Sequence, residues 1–306
     1  MKRGIAGLII VIITAVAATY ILIPSSIKIS SVAEGKSNAK AVYRNLLNDE
    51  NWSKWWPGPT LFYYNGTNFK LVKKLLTSFE LQLTYKTDPV KSVLDIIPLK
   101  ADSTAYQLSC KLKSSNNPVK RFMQYLDAIQ LKKNIDAVTD SLKNYMSKEE
   151  NLYGFKVINV KVADSVLIST RSTFNHYPDI NETERMVQKL KDYIKTERAV
   201  EKNYPMLNVH QTGTNEYETM VAIATERLLP ATKEFAPKIV LKGGNILEAV
   251  FKGGPFAIRK AFESFENYKE DFEITSPAIP YQLMITDRVI EKDTSAWITK
   301  FYYPIF

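Results

Sequence analysis

The side chains that could do chemistry are few and scattered. The chain has one cysteine, Cys110, and two histidines, His176 and His210, so no group has the spacing of zinc ligands and no disulfide can form within the chain. No metal and no cofactor are expected. Cys110 stands in an apolar, strand-like stretch with no histidine near it in sequence and reads as a small buried hydrophobe. His176 precedes Tyr177-Pro178 at a turn, with contact to a ligand as the alternative. Glu226, Glu248 and Asp287 would serve as bases if buried, yet isolated carboxylates in a charged sequence are usually solvated or paired. Gly35-Lys36-Ser37 lacks the earlier glycine that a phosphate loop needs, because Ser30 stands there, and G-x-S-x-G, H-E-x-x-H and G-x-G-x-x-G are all missing. What remains is the last strand-like run, Ala296–Tyr303. Its alternation sets Ile298, Lys300 and Tyr302 on one face and Trp297, Thr299, Phe301 and Tyr303 on the other. A lysine and a phenol side by side can orient a ligand, but no catalytic residue is assigned.

The elements that position this strand repeat a pattern. Ile246–Phe251 is a short run of high β propensity, and Gly253-Gly254-Pro255 ends it and opens a helix. In that helix Ile258, Ala261, Phe262, Phe265 and Phe272 form one apolar stripe. Ser276-Pro277 and Pro280 break it, and the strand-like runs Tyr281–Thr286 and Ala296–Tyr303 follow, joined by a charged loop. Upstream, Val157–Thr173 reads as a strand, Ile180–Thr196 as a helix, and Met206–Thr212 and Tyr217–Thr225 as strands. The same order occurs twice, which predicts an internal duplication of a strand-helix-strand-strand unit.

Gly-Gly-Pro-Phe at 253–256, the strand led by Pro280 and ending in Thr286-Asp287, and Trp-Ile-Thr-Lys-Phe-Tyr-Tyr-Pro at 297–304 resemble the GyrI-like, or transcription-activator effector-binding, domain. The resemblance covers residues 156–306. It implies two such modules around a ligand cleft that takes small molecules, and some family members are hydrolases. By the same resemblance Ile298, Lys300 and Tyr302 face the cleft with Met284 and Gln282 of the preceding strand, and Met220 and Ala222 are their counterparts in the first module. Many relatives carry a glutamate where this chain has Lys300. A lysine in a confined site repels a cation, so a neutral or anionic ligand is expected.

Before this region, Ile27–Ala33 alternates like a strand and Asn38–Leu47 has helical spacing with Asn38 as its cap. Trp52, Trp55 and Trp56 precede a Pro-Gly turn. They read as core, with a membrane-interface belt or a pocket wall as alternatives. From Phe62 to Ser114 several strand-like runs are separated by Asn65-Gly66, Asp88-Pro89 and Pro98, as in an antiparallel meander. A long helix follows Pro118, with a stripe from Phe122 through Met146. The text at 27–57 is similar to the opening of the SRPBCC superfamily, the START-like helix-grip fold. That resemblance covers residues 26–150 and implies a sheet curled round the long helix to enclose an apolar cavity.

Gly4–Ile23 is twenty residues without a charge, enough as a helix to span a hydrocarbon core of about 30 Å. Lys2 and Arg3 before it favour an N-terminus kept in the cytoplasm, so a single-pass anchor within residues 1–25 is expected, with both domains on the outer, periplasmic side. A cleaved signal peptide is the alternative. The net charge of +9 over 306 residues suits anionic surfaces, but the lysines are scattered and no helix-turn-helix text is present, so nucleic acid is not an expected partner. The whole reads as an α+β protein: a membrane helix, a START-like domain and a duplicated GyrI-like domain. The expected function is capture of a hydrophobic or amphipathic small molecule near a membrane. The alternatives are a hydrolase or cyclase working in one of the two cavities, and a scaffold with both cavities collapsed.

Overall fold

A computed structural model describes residues 2–86, 89–276 and 278–305. The expected turn at Asp88-Pro89 and the break at Pro277 touch residues outside these. The fold is α+β, with two antiparallel sheets in two compact units, residues 1–152 and 153–306.

The first unit begins with α1 (Lys2–Leu22). Its placed apolar side chains are exposed on consecutive positions, Leu8, Ile9, Ile10, Val11, Ile12 and Ile13, so no one face is turned to a core. Among the described residues no helix is long and apolar enough to cross a membrane; the side chains of residues 1–4 and 6, at the start of the expected span, lie outside those described.

β1 (Ser26–Lys36) leads to α2 (Ala39–Leu47), capped by the Asn38 side chain as its sequence predicts, and to the short α3 (Trp52–Trp55). β2 (Tyr63–Tyr64), β3 (Thr67–Lys74), β4 (Ser78–Thr84), β5 (Val90–Lys100) and β6 (Ser103–Lys113) then form a meander. Asn65 and Gly66, with φ of 42° and 80°, supply the two positive φ angles of the tight turn between β2 and β3. The sheet order is β1-β6-β5-β4-β3-β2, with the first strand closing against the last. α4 (Pro118–Met146) packs on this sheet through Leu131, Ile135, Val138, Leu142 and Met146, and α5 (Glu149–Tyr153) follows it across the boundary of the two units. All three tryptophans are core residues. They meet one another and Phe62, Phe69 and Phe79 at ring separations of 5.1–5.6 Å.

In the second unit the expected single strand Val157–Thr173 is two, β7 (Val157–Lys161) and β8 (Val166–Phe174), which lie at opposite sides of one eight-stranded sheet. After β8 come α6 (Ile180–Thr196), β9 (Met206–Gly213) and β10 (Glu216–Ala224). The edge strand β11 (Ala236–Ile239) had no sequence signal. The second copy follows: β12 (Asn245–Lys252), α7 (Pro255–Asp271), β13 (Tyr281–Met284) and β14 (Ile298–Ile305). The order β11-β8-β10-β9-β13-β14-β12-β7 is that of two like modules joined at β9 and β13, each with an added edge strand. Both helices are 17 residues long, and Leu207 pairs with Gln282 across the joint. The duplication is therefore topological, and it leaves one face of the sheet without helices.

Candidate functional site

Strand pairing decides which side chains share that open face, because residues opposite one another in an antiparallel ladder point the same way. Tyr302 pairs with Tyr281 and with Glu248, and Lys300 pairs with Leu283. In the first module Ala222 pairs with Met206, and Met220 with Asn208. These residues face a cleft of about 430 Å³ whose wall includes Met206, Met220, Ala222, Glu248, Tyr281, Leu283 and Tyr302. Asp164 enters from the segment after β7 and accepts from the Asn203 amide at 2.6 Å.

Of the residues named from sequence, Met220, Ala222, Tyr302 and Glu248 line this cleft. Lys300 shares their face and reaches Glu248 rather than the open space. Ile298 lies on the same face at the far end of β14, 39% exposed and opposite Lys252, outside the cleft wall. Gln282 and Met284 were expected in the cleft and are on the other face. Met284 packs in the core with α6, and Gln282 is bonded to Tyr177 beneath the helices. The pairing of Tyr281 with Tyr302 fixes this, so Tyr281 and Leu283 are the cleft residues of that strand.

Glu248, named from sequence only as a base if buried, is buried and lines the cleft. Only 9% exposed, it stands beside Tyr302, whose phenol donates to Oε2 at 2.5 Å, and Lys300 Nζ lies 3.2 Å from both carboxylate oxygens. The carboxylate that Lys300 seemed to displace is thus supplied by the neighbouring strand, and the lysine charge is spent on it. An anionic ligand loses the free cation on which its expectation rested. Tyr281 stacks on Tyr302 at 5.1 Å. Burial, with Asp164 and Glu248 nearby, pushes the Tyr281 phenol up to about 12, and burial with the Glu248 hydrogen bond raises Tyr302 further. Both phenols therefore stay protonated and act as donors near neutral pH.

The two modules give the cleft unlike walls. By register, Met220 and Ala222 hold the places of Lys300 and Tyr302, and Ser169 holds that of Glu248. The first module's wall is aliphatic at these places, with Asn208 and Lys238 beside them, while the other carries a carboxylate, an ammonium and two phenols.

The remaining candidates lie elsewhere. Glu226 and Asp287 are exposed, and Asp287 caps the turn at Val289 and Ile290. His176 is at the surface beside Asn175 and Glu182. Cys110 is buried, and burial pushes its thiol up to about 11. Among the described residues no group of three His, Cys, Asp or Glu side chains could hold a metal. In the first unit Trp52, Tyr106, Phe69 and Phe79 fill the space under the sheet. A cavity of about 340 Å³ in this unit is lined in part by Ile27, Tyr85, Leu112, Gln124 and Leu131.

No family model matches the sequence, and no curated protein matches it either. Among solved structures, the chain is similar to the EcmrR C-terminal domain, with 13% identity over 50% of this chain and 98% of that one, at a TM-score of 0.42. It is similar to SAV2435 bound to tetraphenylphosphonium, with 12% identity over 49% and 94% of the two chains and a TM-score of 0.33. It is also similar to the di-domain ARO/CYC BexL from the BE-7585A biosynthetic pathway, with 8% identity over 92% and 85% and a TM-score of 0.30.

Proposed function

We propose that the protein is a membrane-anchored binder of a small amphipathic molecule, held in the cleft of the second unit. The observation that carries this reading is the pair of unlike walls. Met206, Met220, Ala222 and Leu283 offer apolar burial, and Glu248, Lys300, Tyr281 and Tyr302 offer a compact polar end. Pockets of this size gain affinity from apolar contact and orientation from a few polar groups. Lys300 balances Glu248 at 3.2 Å, and the other charges on the cleft wall, Asp164, Lys161 and Lys238, are of both signs, so the preferred ligand is neutral, with a hydrogen-bonding head.

The membrane part of the proposal is supported by α1, whose exposed side chains are apolar on every side, a surface that water does not favour. In this reading residues 4–23 hold the chain in a bilayer with the N-terminus on the cytoplasmic side and both units on the other.

The test uses three hydrophobic fluorophores of similar size, neutral, anionic and cationic, titrated against the full chain in detergent. The neutral probe should bind at least tenfold more tightly than either ion. Equal binding of all three, or none, overturns the reading. Native mass spectrometry of the protein from its host membranes then gives the mass of any resident ligand.

A further inference from the structure

The first turns of α4 have an unusual surface for a helix whose later turns carry a core. Val119, Phe122, Met123, Leu126 and Ile129 are 42–71% exposed, and their spacing places them along one stripe. The first nine residues of α4 also contain Lys120 and Arg121 and no carboxylate. Arg121 is buried and points inward. Lys28, Lys111 and Lys113 are exposed at the adjoining ends of β1 and β6.

This patch is tied to the end of α1. Arg121 donates to the Ile23 carbonyl from Nε at 3.0 Å and from Nη2 at 2.5 Å, and its guanidinium lies 5.0 Å from the Tyr20 ring. The Tyr20 phenol donates to the Asn116 carbonyl. Ser114 bonds the Pro24 and Ser25 carbonyls through its hydroxyl and its amide, at 2.8 and 3.0 Å. The last turn of the apolar helix and the first turn of α4 are therefore one rigid corner. A helix whose C-terminal end leaves a bilayer at this corner brings the α4 stripe to the headgroup region.

We propose that the start of α4 is a second membrane contact, in which Phe122, Met123 and Leu126 enter the interface of an anionic bilayer and Lys111, Lys113 and Lys120 meet its phosphates. This rests on the reading of α1 as a lipid-inserted helix. Apolar side chains flanked by cations match an anionic lipid surface in both respects, and the one carboxylate within the stripe, Asp127, pairs with Lys86 at 3.4 Å. The contact would hold the first unit against the membrane instead of leaving it on a free tether.

The test places an environment-sensitive fluorophore on single cysteines in the full chain, reconstituted in bilayers of neutral or anionic lipid with a nitroxide at acyl carbon 5. Cys110 is buried and stays unlabelled. The positions are Phe122→Cys, Ile10→Cys within α1, and Ser53→Cys on α3. α3 is fastened to α4 at Ser141, about 30 Å along the helix from Arg121 at the usual rise per residue. Position 122 should be quenched at least threefold more than position 53, and more strongly in anionic lipid. The variant K111Q/K113Q/K120Q should lose that preference, at about fivefold per lysine. Quenching at position 10 without quenching at 122 overturns the contact and leaves the anchor standing. Absence of quenching at both overturns the anchor and the contact together. A probe at 122 that is shielded but unquenched in either lipid marks a protein interface, such as a second copy of this chain, and overturns the proposal.

Discussion

Replacing Lys300 with methionine removes the resident counter-ion of the cleft while keeping the length of the side chain. The ammonium lies 3.2 Å from both oxygens of Glu248, a separation at which Coulomb attraction is about 5 kcal/mol at an effective dielectric near 20. The lysine side chain keeps 34% of its surface in water against 11% for the glutamate. Solvent screening and the desolvation recovered from the lysine therefore reduce the net loss to about 1–3 kcal/mol. At about 2–4 °C per kcal/mol for a unit of this size, K300M should melt roughly 2–12 °C lower. The freed carboxylate then faces the cleft with only Tyr302 as partner, and a lipophilic cation should take the place of the lysine. The same energy sets the scale of the gain, about fivefold to 150-fold in the dissociation constant of a cationic probe, with little change for a neutral one. Fluorescence titration reads both. The double variant K300M/E248Q should lose the new cation preference and recover part of the melting temperature. If K300M binds the cation no better than the parent, Glu248 is not presented to ligands and the argument from charge balance fails.

Three further outcomes follow from the same geometry. Ala222→Phe should fill the aliphatic wall and weaken the neutral probe at least tenfold, with stability unchanged within about 1–3 kcal/mol, the usual cost of adding bulk to a packed site; retained binding would place the ligand elsewhere. Tyr281 titrates near 12 in the folded chain against 10 unfolded, because burial disfavours the phenolate. Its stabilising effect is whole below pH 10 and is lost as pH rises towards 12, at about 1.4 kcal/mol per pH unit; denaturant midpoints between pH 9 and 12 should fall less steeply in Tyr281→Phe. Cys110, buried and with its thiol pushed up to about 11, should react with a water-soluble disulfide reagent at least a hundredfold more slowly than in urea. Fast labelling of the native protein would contradict its packing under the sheet.

Much of the fold was legible because local signals agreed. The Asn38 cap, the Asn65-Gly66 turn and the apolar stripe of α7 each needed only a few neighbouring residues. The site was less legible because it depends on pairing. Glu248 and Tyr302 are 54 residues apart, and nothing in either strand announces that β12 lies beside β14. The displaced face of Gln282 and Met284 has a similar cause. In the four residues Tyr-Gln-Leu-Met a polar side chain looks like a cleft residue, but the open face was set by Tyr281 and Leu283 opposite β14. β7 and β8 merged in the sequence reading because the intervening 162–165 carry no strong breaker.

The duplication also explains why the cleft has a direction. Two identical modules joined at β9 and β13 would give like walls, and a ligand would have no reason to lie one way round. Here the second module has gained a glutamate where the first has Ser169, whose hydroxyl is turned to the Ala236 carbonyl of the edge strand β11. A buried carboxylate alone would be costly, and Lys300 and Tyr302 are the neighbours within reach to satisfy it. In the first module Ser169 stands where the carboxylate would be, so the places of Lys300 and Tyr302 can be filled by Met220 and Ala222, and aliphatic surface remains open to the cleft beside Lys238. The polar group of a bound molecule must therefore lie against β12 and β14, and its apolar body against β9 and β10. The two residues that make the Glu248 charge tolerable, Lys300 and Tyr302, also fix that orientation, so charge balance and ligand direction are one property of the second module.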